Sequence, residues 1–186
     1  MFMKNKNIVF SANSLWFIYN FYEGLIKEFQ RINFNVIAVG KRDHTNILLK
    51  KLGVTVIEIP FESKSGNPIK NLILLINYIE IYLKVKPCCI LNFTIKSNIY
   101  GSIAAKIFSI PCINTQPGLG TIFMYNNIKS LIAKLLFKFT QNYPLKIFVL
   151  NYNDYFTLLR YKLASIKKLT IIPGSGIDID KFSPNM

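Results

Sequence analysis

Three loops of this sequence carry residues that can hold an anion. The first is Asn92-Phe93-Thr94-Ile95-Lys96-Ser97-Asn98, in which a strand-like run ends, a lysine follows, and Ser97 or Asn98 can cap the next helix. A lysine ammonium beside the positive end of a capped helix makes a phosphate site, although a surface lysine next to an ordinary cap has the same spelling. The second is Gln116-Pro117-Gly118-Leu119-Gly120, where two glycines let the backbone approach a ligand closely. The third is Pro173-Gly174-Ser175-Gly176. Its amide N–H groups, following a strand, can turn toward a diphosphate, and the plain alternative is a turn into a linker. A fourth loop, residues 11–20, offers Asn13 and Ser14 as caps and donors, with Trp16, Phe17 and Tyr19 placed to stack on a sugar, touch lipid or fill the core.

Other chemistries find little here. His44 is the only histidine and falls in the polar run Lys41-Arg42-Asp43-His44, which reads as a strand-to-helix loop, so a Ser-His-Asp device has no support. Asp178-Ile179-Asp180 has the form of an Asp-x-Asp metal motif but stands at the end of the sequence, and no metal or cofactor is expected. A dinucleotide enzyme needs Gly-x-Gly-x-x-Gly after the first strand, and the first glycine is Gly24. Cys88, Cys89 and Cys112 are odd in number and lack Cys-x-x-Cys spacing, which fits a reducing compartment.

The elements that must position these loops alternate strictly. Strands are predicted at 7–12, 35–39, 54–59, 88–93, 111–115, 147–150 and 169–172, with helices near 20–31, 45–52, 68–84, 98–108, 128–141 and 152–163. Alternation of this kind predicts an α/β, doubly wound, Rossmann-like parallel sheet of about seven strands in a single domain. In such sheets ligands sit beyond the carboxyl ends of the strands, where all four loops fall. Within 128–141, Leu131, Ile132, Leu135, Leu136 and Phe139 share a face, Phe137 points away, and Lys134 and Lys138 flank the stripe. That stripe suits either the core or an anionic bilayer. The helix at 69–84 is apolar nearly all round and needs a cover on its back face.

The net charge of +14 over 186 residues favours an anionic partner, and 51% hydrophobic content excludes disorder. Lysine supplies 20 of the 23 basic residues. Because base readout favours the arginine fork, nucleic acid is not expected; an anionic membrane surface and a simple compositional bias are both consistent. Residues 107–128 lack charge but are broken by Pro111, Pro117, Gly118 and Gly120, and Ser11, Asn13 and Ser14 interrupt any signal-peptide core. No span and no export are expected, and the placement expected is cytoplasmic.

The stretch Thr94-x-Lys96-x-x-x-x-Gly101-x-x-Ala104-Ala105 is similar to one found in bacterial family 4 glycosyltransferases of the GT-B type that extend lipid-linked sugars. The ending, Pro173-Gly174-Ser175-Gly176-Ile177-Asp178-x-x-x-Phe182, resembles the segment that closes their N-terminal domain. Where relatives often carry a histidine before the glycine loop, this chain has Gln116-Pro117, which removes a histidine-assisted role. The resemblance implies an acceptor-side domain at 1–173, the start of an interdomain linker at 174–186, and a donor domain absent from these residues. It implies transfer, with retention, of a sugar from a nucleotide sugar, UDP-linked by expectation, to a lipid-diphosphate-linked or glycan acceptor on the inner face of the cytoplasmic membrane. Acceptor contacts are expected from Asn13, Ser14, Thr94, Lys96, Ser97, Gly118 and Gly120, and donor-diphosphate contacts from Gly174, Ser175 and Gly176. Such enzymes need no metal, since helix N-termini and basic residues stabilise the leaving diphosphate. The family's Glu-x7-Glu pattern belongs to the donor domain and has no match here, so the isolated chain is expected to be inactive, a fragment or one subunit of a split enzyme. The alternative is a non-catalytic binding or partner-docking module on the same sheet.

Overall fold

The computed structural model describes residues 6–63, 66–119 and 128–176. Seven strands form one parallel sheet: β1 (Asn7–Ser14), β2 (Asn35–Lys41), β3 (Thr55–Glu58), β4 (Cys89–Asn92), β5 (Cys112–Gln116), β6 (Lys146–Val149) and β7 (Leu169–Ile171). Between them run α1 (Leu15–Arg31), α2 (Asn46–Lys51), α3 (Pro68–Val85), α4 (Ser102–Ile107), α5 (Ile128–Thr140) and α6 (Tyr152–Arg160). The strand order is β3-β2-β1-β4-β5-β6-β7, so the direction of winding reverses between β1 and β4. That reversal is the switch point at which a doubly wound sheet opens a ligand crevice beyond its carboxyl ends.

The central strands β1, β2 and β4 are buried on both faces, and their period of two sorts the core. Val9, Ile37, Val39 and Ile90 pack with Leu74, Tyr78 and Tyr82 of α3 and Ala104 and Ala105 of α4. Their neighbours Ile8, Phe10, Val36, Ala38 and Leu91 pack on the other face with Leu15, Ile18, Tyr22 and Ile26 of α1 and Leu49 of α2. A third cluster, Ile99, Leu119, Phe137, Ile147, Val149, Leu158 and Leu169, fills the β5–β7 flank.

Three sequence readings change here. The first helix begins at Leu15, not near residue 20, because Ser14 takes an extended φ of −150° and its hydroxyl accepts from the Phe17 amide at 3.2 Å. Trp16, Phe17 and Tyr19 therefore ride on the first turns of α1 instead of a loop. The second change is the entry to α4, a π-helical turn at Ser97–Gly101 whose preceding residue, Lys96, makes no side-chain cap. The third, the α5 stripe, is open between core and bilayer in the sequence, and the structure turns most of it outward while Leu136 packs against the third cluster. Leu131, Ile132, Leu135 and Phe139 are exposed, Phe139 by 75%, while Phe137 is 1% exposed and joins the core. The buried side of α5 also carries Ser130 and Thr140, and Thr140 Oγ1 accepts from Gln141 Nε2 at 3.2 Å.

Candidate functional site at the switch point

The loops after β1, β4, β5 and β7 all leave carboxyl ends of parallel strands, which puts Asn13, Lys96, Gly118 and Gly174 on one edge of the sheet. Ser14 is committed to capping α1. The next amide, Trp16 N–H, donates to Asp43 Oδ2 at 2.7 Å, and Asp43 Oδ1 accepts from the Thr45 amide at 3.0 Å and from its hydroxyl. A carboxylate from the β2–α2 loop thus already occupies the positive end of α1. Asn13 is half-buried, and its Oδ1 is enclosed without a hydrogen-bond partner.

Ser97 is fully buried and faces inward, contrary to the exposed cap expected of it. Tyr78 of α3 donates its hydroxyl hydrogen to Ser97 Oγ at 3.1 Å and meets Ser11 Oγ of β1 at 2.6 Å, and Thr94 Oγ1 lies 3.2 Å from Ser97 Oγ. Burial pushes the Tyr78 phenol up to about 12, so it stays a neutral donor. Asn98, the other expected cap, is buried and donates to Thr115 O at 3.0 Å and Gln116 Oε1 at 2.8 Å. Gln116 in turn donates to the Gly118 carbonyl, so this residue shapes the glycine loop and is not an acid or base. Asn114 completes the scaffold by donating to Gln141 Oε1 at 2.8 Å and Ser102 Oγ at 3.0 Å while accepting from Asn92 Nδ2 at 2.9 Å. Gly101 is tightly enclosed, since a Cβ there would lie 2.5 Å from Asn92 Oδ1 and would force that side chain to shift.

Lys96 turns toward α3. Its Nζ donates to the Glu62 carbonyl at 2.6 Å and to Asn71 Oδ1 at 2.9 Å. Burial lowers its pKa below the ordinary lysine value, and the Glu62 carboxylate opposes that shift. Glu62 also pairs with Lys70 at 2.6 Å. None of Glu62, Lys70 and Asn71 was legible as part of the site, because they lie 25 to 34 residues from Lys96 and only the β3-to-β4 crossover brings them there.

The closing segment crosses back over the edge. Gly174 and Gly176 have φ of +84° and +77°, the left-handed region that favours glycine, and a Cβ on either would meet nothing within 4 Å. Between them Ser175 Oγ donates to Tyr22 Oη at 3.3 Å. Tyr22 stacks on Phe93 with ring centroids 3.8 Å apart, which sets Ser175 beside the β1/β4 switch point. Gly118 is open in the same sense as Gly174 and Gly176. Gly120, the apolar residues 122–124, Asp178, Asp180 and Phe182 lie outside the described residues. Among the described residues no group of three His, Cys, Asp or Glu side chains could hold a metal ion. One shallow hollow lies against Phe156 and Arg160 of α6, and another lies at the amino ends of the strands around Asn7 and Asn35, opposite this edge.

No protein-family model matches the sequence. A curated relative, the N,N'-diacetylbacillosaminyl-diphospho-undecaprenol alpha-1,3-N-acetylgalactosaminyltransferase of Campylobacter jejuni, is 28% identical over 176 residues, which is 90% of this chain and 46% of that protein. Among solved structures, MurG of Acinetobacter baumannii superposes with a TM-score of 0.63 at 14% identity, over 93% of this chain and 46% of that one. This chain has the fold of a GT-B half-domain. HepE of Anabaena, solved with UDP and glucose, superposes with a TM-score of 0.66 at 15% identity, over 95% of this chain and 46% of HepE. The UDP-GlcNAc 2-epimerase of Methanocaldococcus jannaschii carries the same fold at a TM-score of 0.58, 17% identity, and 89% and 44% coverage. The chain spans about half the length of the relatives it matches.

Proposed function

We propose that this chain is the acceptor-binding half of a glycosyltransferase that moves a sugar from a UDP-linked donor to a lipid-diphosphate-linked acceptor in cell-surface polysaccharide synthesis. The observation that carries the reading is the match along 90% of the chain to a transferase whose printed name specifies a diphospho-undecaprenol-linked sugar. Lys96, held at the switch point of a GT-B half-domain, supplies the positive charge such an acceptor requires. In the reaction the acceptor hydroxyl oxygen bonds to the anomeric carbon as the bond from that carbon to the diphosphate oxygen breaks. The hydroxyl proton is released and UDP departs. Gly118 and Gly120 would let backbone approach the acceptor, Thr94 and Asn13 would add polar contacts, and the amides around Gly174, Ser175 and Gly176 would face the departing diphosphate. A donor-binding half, on the same polypeptide or on a second one, completes the crevice.

The outward stripe of α5 supports a working position on an anionic membrane surface. Leu131, Ile132, Leu135 and Phe139 are exposed beside the exposed Lys138, in a chain of net charge +14. Transfer by the chain assembled with a donor-binding half tests the reading. Lys96→Ala should lower kcat/KM for the lipid-linked acceptor about 10- to 150-fold, the equivalent of losing a charge-assisted contact of roughly 1.5–3 kcal/mol, with little change in hydrolysis of the nucleotide sugar. Unchanged acceptor use in Lys96→Ala would remove the phosphate role, and transfer by residues 1–186 alone would overturn the half-enzyme reading.

A further inference from the structure

Lys96 is not the only cation at its position, and the residue whose carbonyl it holds carries an acid. The segment between β3 and α3 delivers Glu62 to the start of α3, where its carboxylate pairs with Lys70 at 2.6 Å while its own backbone carbonyl accepts from Lys96 Nζ at 2.6 Å. Asn71, the next residue on α3, accepts from the same ammonium at 2.9 Å through Oδ1. Two lysines from separate elements, Lys70 in the first turn of α3 and Lys96 beyond β4, thus converge on one residue.

We propose that Lys70 and Lys96 form a single site for a phosphate or diphosphate ester, and that the Glu62 carboxylate is its resident occupant, which the ligand displaces. This rests on the reading of Lys96 as an acceptor-phosphate contact, and adds to it a second cation and a built-in competitor. A carboxylate and a phosphate oxygen make the same charge-assisted bonds to an ammonium group, so one can stand in for the other. The anchor and the competitor are separate groups of one residue. The Glu62 carbonyl ties the segment to Lys96, and the Glu62 side chain is half exposed and able to swing into water without breaking that tie. The lowered pKa of Lys96 agrees with a cation that has given up part of its water to this packing. The arrangement disfavours weak monoanions and yields to a diphosphate, which can contact both lysines at once.

The experiment is a titration of the full chain with inorganic pyrophosphate at low ionic strength, followed by the NMR signals of the lysine ammonium groups or by calorimetry. Glu62→Gln keeps the backbone tie and removes only the competing charge, and should bind about 3- to 10-fold more tightly, a gain that shrinks as salt screens it. Lys70→Gln and Lys96→Gln should each weaken binding by at least as much. A Glu62→Gln variant that melts like the parent and binds no more tightly would overturn the occupancy proposal. If Lys96→Gln weakens binding while Glu62→Gln changes nothing, the competitor fails and the Lys96 reading stands; if Lys96→Gln also binds like the parent, both fall. Repeating the titration with farnesyl diphosphate assigns the source of the phosphate. A larger Glu62→Gln gain there than with pyrophosphate marks the lipid ester as the ligand, and an equal gain marks the diphosphate group alone.

Discussion

At the carboxyl edge, the loops beside β1–β4 are tightly filled and the flank beside β5–β7 is more open. On the closed side Gly101 sits in a space too tight for a Cβ, Ser14 and Asp43 occupy the start of α1, and Lys96 is clasped by Glu62 and Asn71. On the open side Gly118 has free space where a side chain would be, and α5 shows Leu131 and Leu135 to solvent. The contrast teaches that packing and hydrogen bonds fix the loops beside β1–β4, while the β5–β7 flank keeps an apolar helix face in solvent among the described residues.

The largest test of that contrast lies within α5. Phe137→Ala should destabilise the fold by about 3–5 kcal/mol, as removal of a buried aromatic does, whereas Phe139→Ala should stay within about 0.5 kcal/mol. Urea denaturation compares them, and equal losses would mean that the outward stripe is packed after all. The glycines give the next contrast. Gly101→Ala should cost roughly 1–3 kcal/mol by overpacking against Asn92, while Gly118→Ala should be close to neutral in a thermal melt. A stable Gly101→Ala would show that the closed side can relax.

Replacing Leu131, Leu135 and Phe139 together by serine should leave the melting curve unchanged and weaken binding to anionic vesicles by about 10-fold or more, because exposed apolar area no longer enters the interface. Equal binding to neutral and anionic vesicles would remove the lysines from the account. The smallest expected effect is in pH. Lys96 binds an anion only while protonated, and burial has lowered its pKa, so pyrophosphate affinity should fall as pH rises through that lowered value, earlier than for an ordinary lysine. Lys96→Arg, which stays charged, should flatten the profile. The sign for stability is opposite. The folded chain releases the Lys96 proton before the unfolded chain does, so this group's contribution rises with pH between the lowered value and 10.5.

Seven strands and six helices were legible in the sequence because apolar runs and turn residues alternate without interruption. The edge on which the loops open followed from parallel pairing alone. The direction of α5 was not legible, because hydrophobic periodicity reports an apolar stripe without saying what lies beneath it. Here the interior around Asn98, Asn114 and Gln141 is polar, and Thr140 at the end of the helix meets it through Gln141. Ser97 and Asn98 read as caps because their types suit that role. Their burial depends on Tyr78 and Gln116, which reach them only through the crossovers. The Glu62 clasp on Lys96 had no local signal at all.

The central claim is that this chain holds the lipid diphosphate and leaves the nucleotide to another half. Calorimetric titration of the chain with farnesyl diphosphate and, separately, with UDP measures that division directly. The account predicts saturable binding of farnesyl diphosphate that weakens about 10-fold or more in Lys96→Ala, with UDP bound far more weakly and indifferent to that substitution. Tighter binding of UDP than of farnesyl diphosphate, with Lys96→Ala affecting neither, would contradict it.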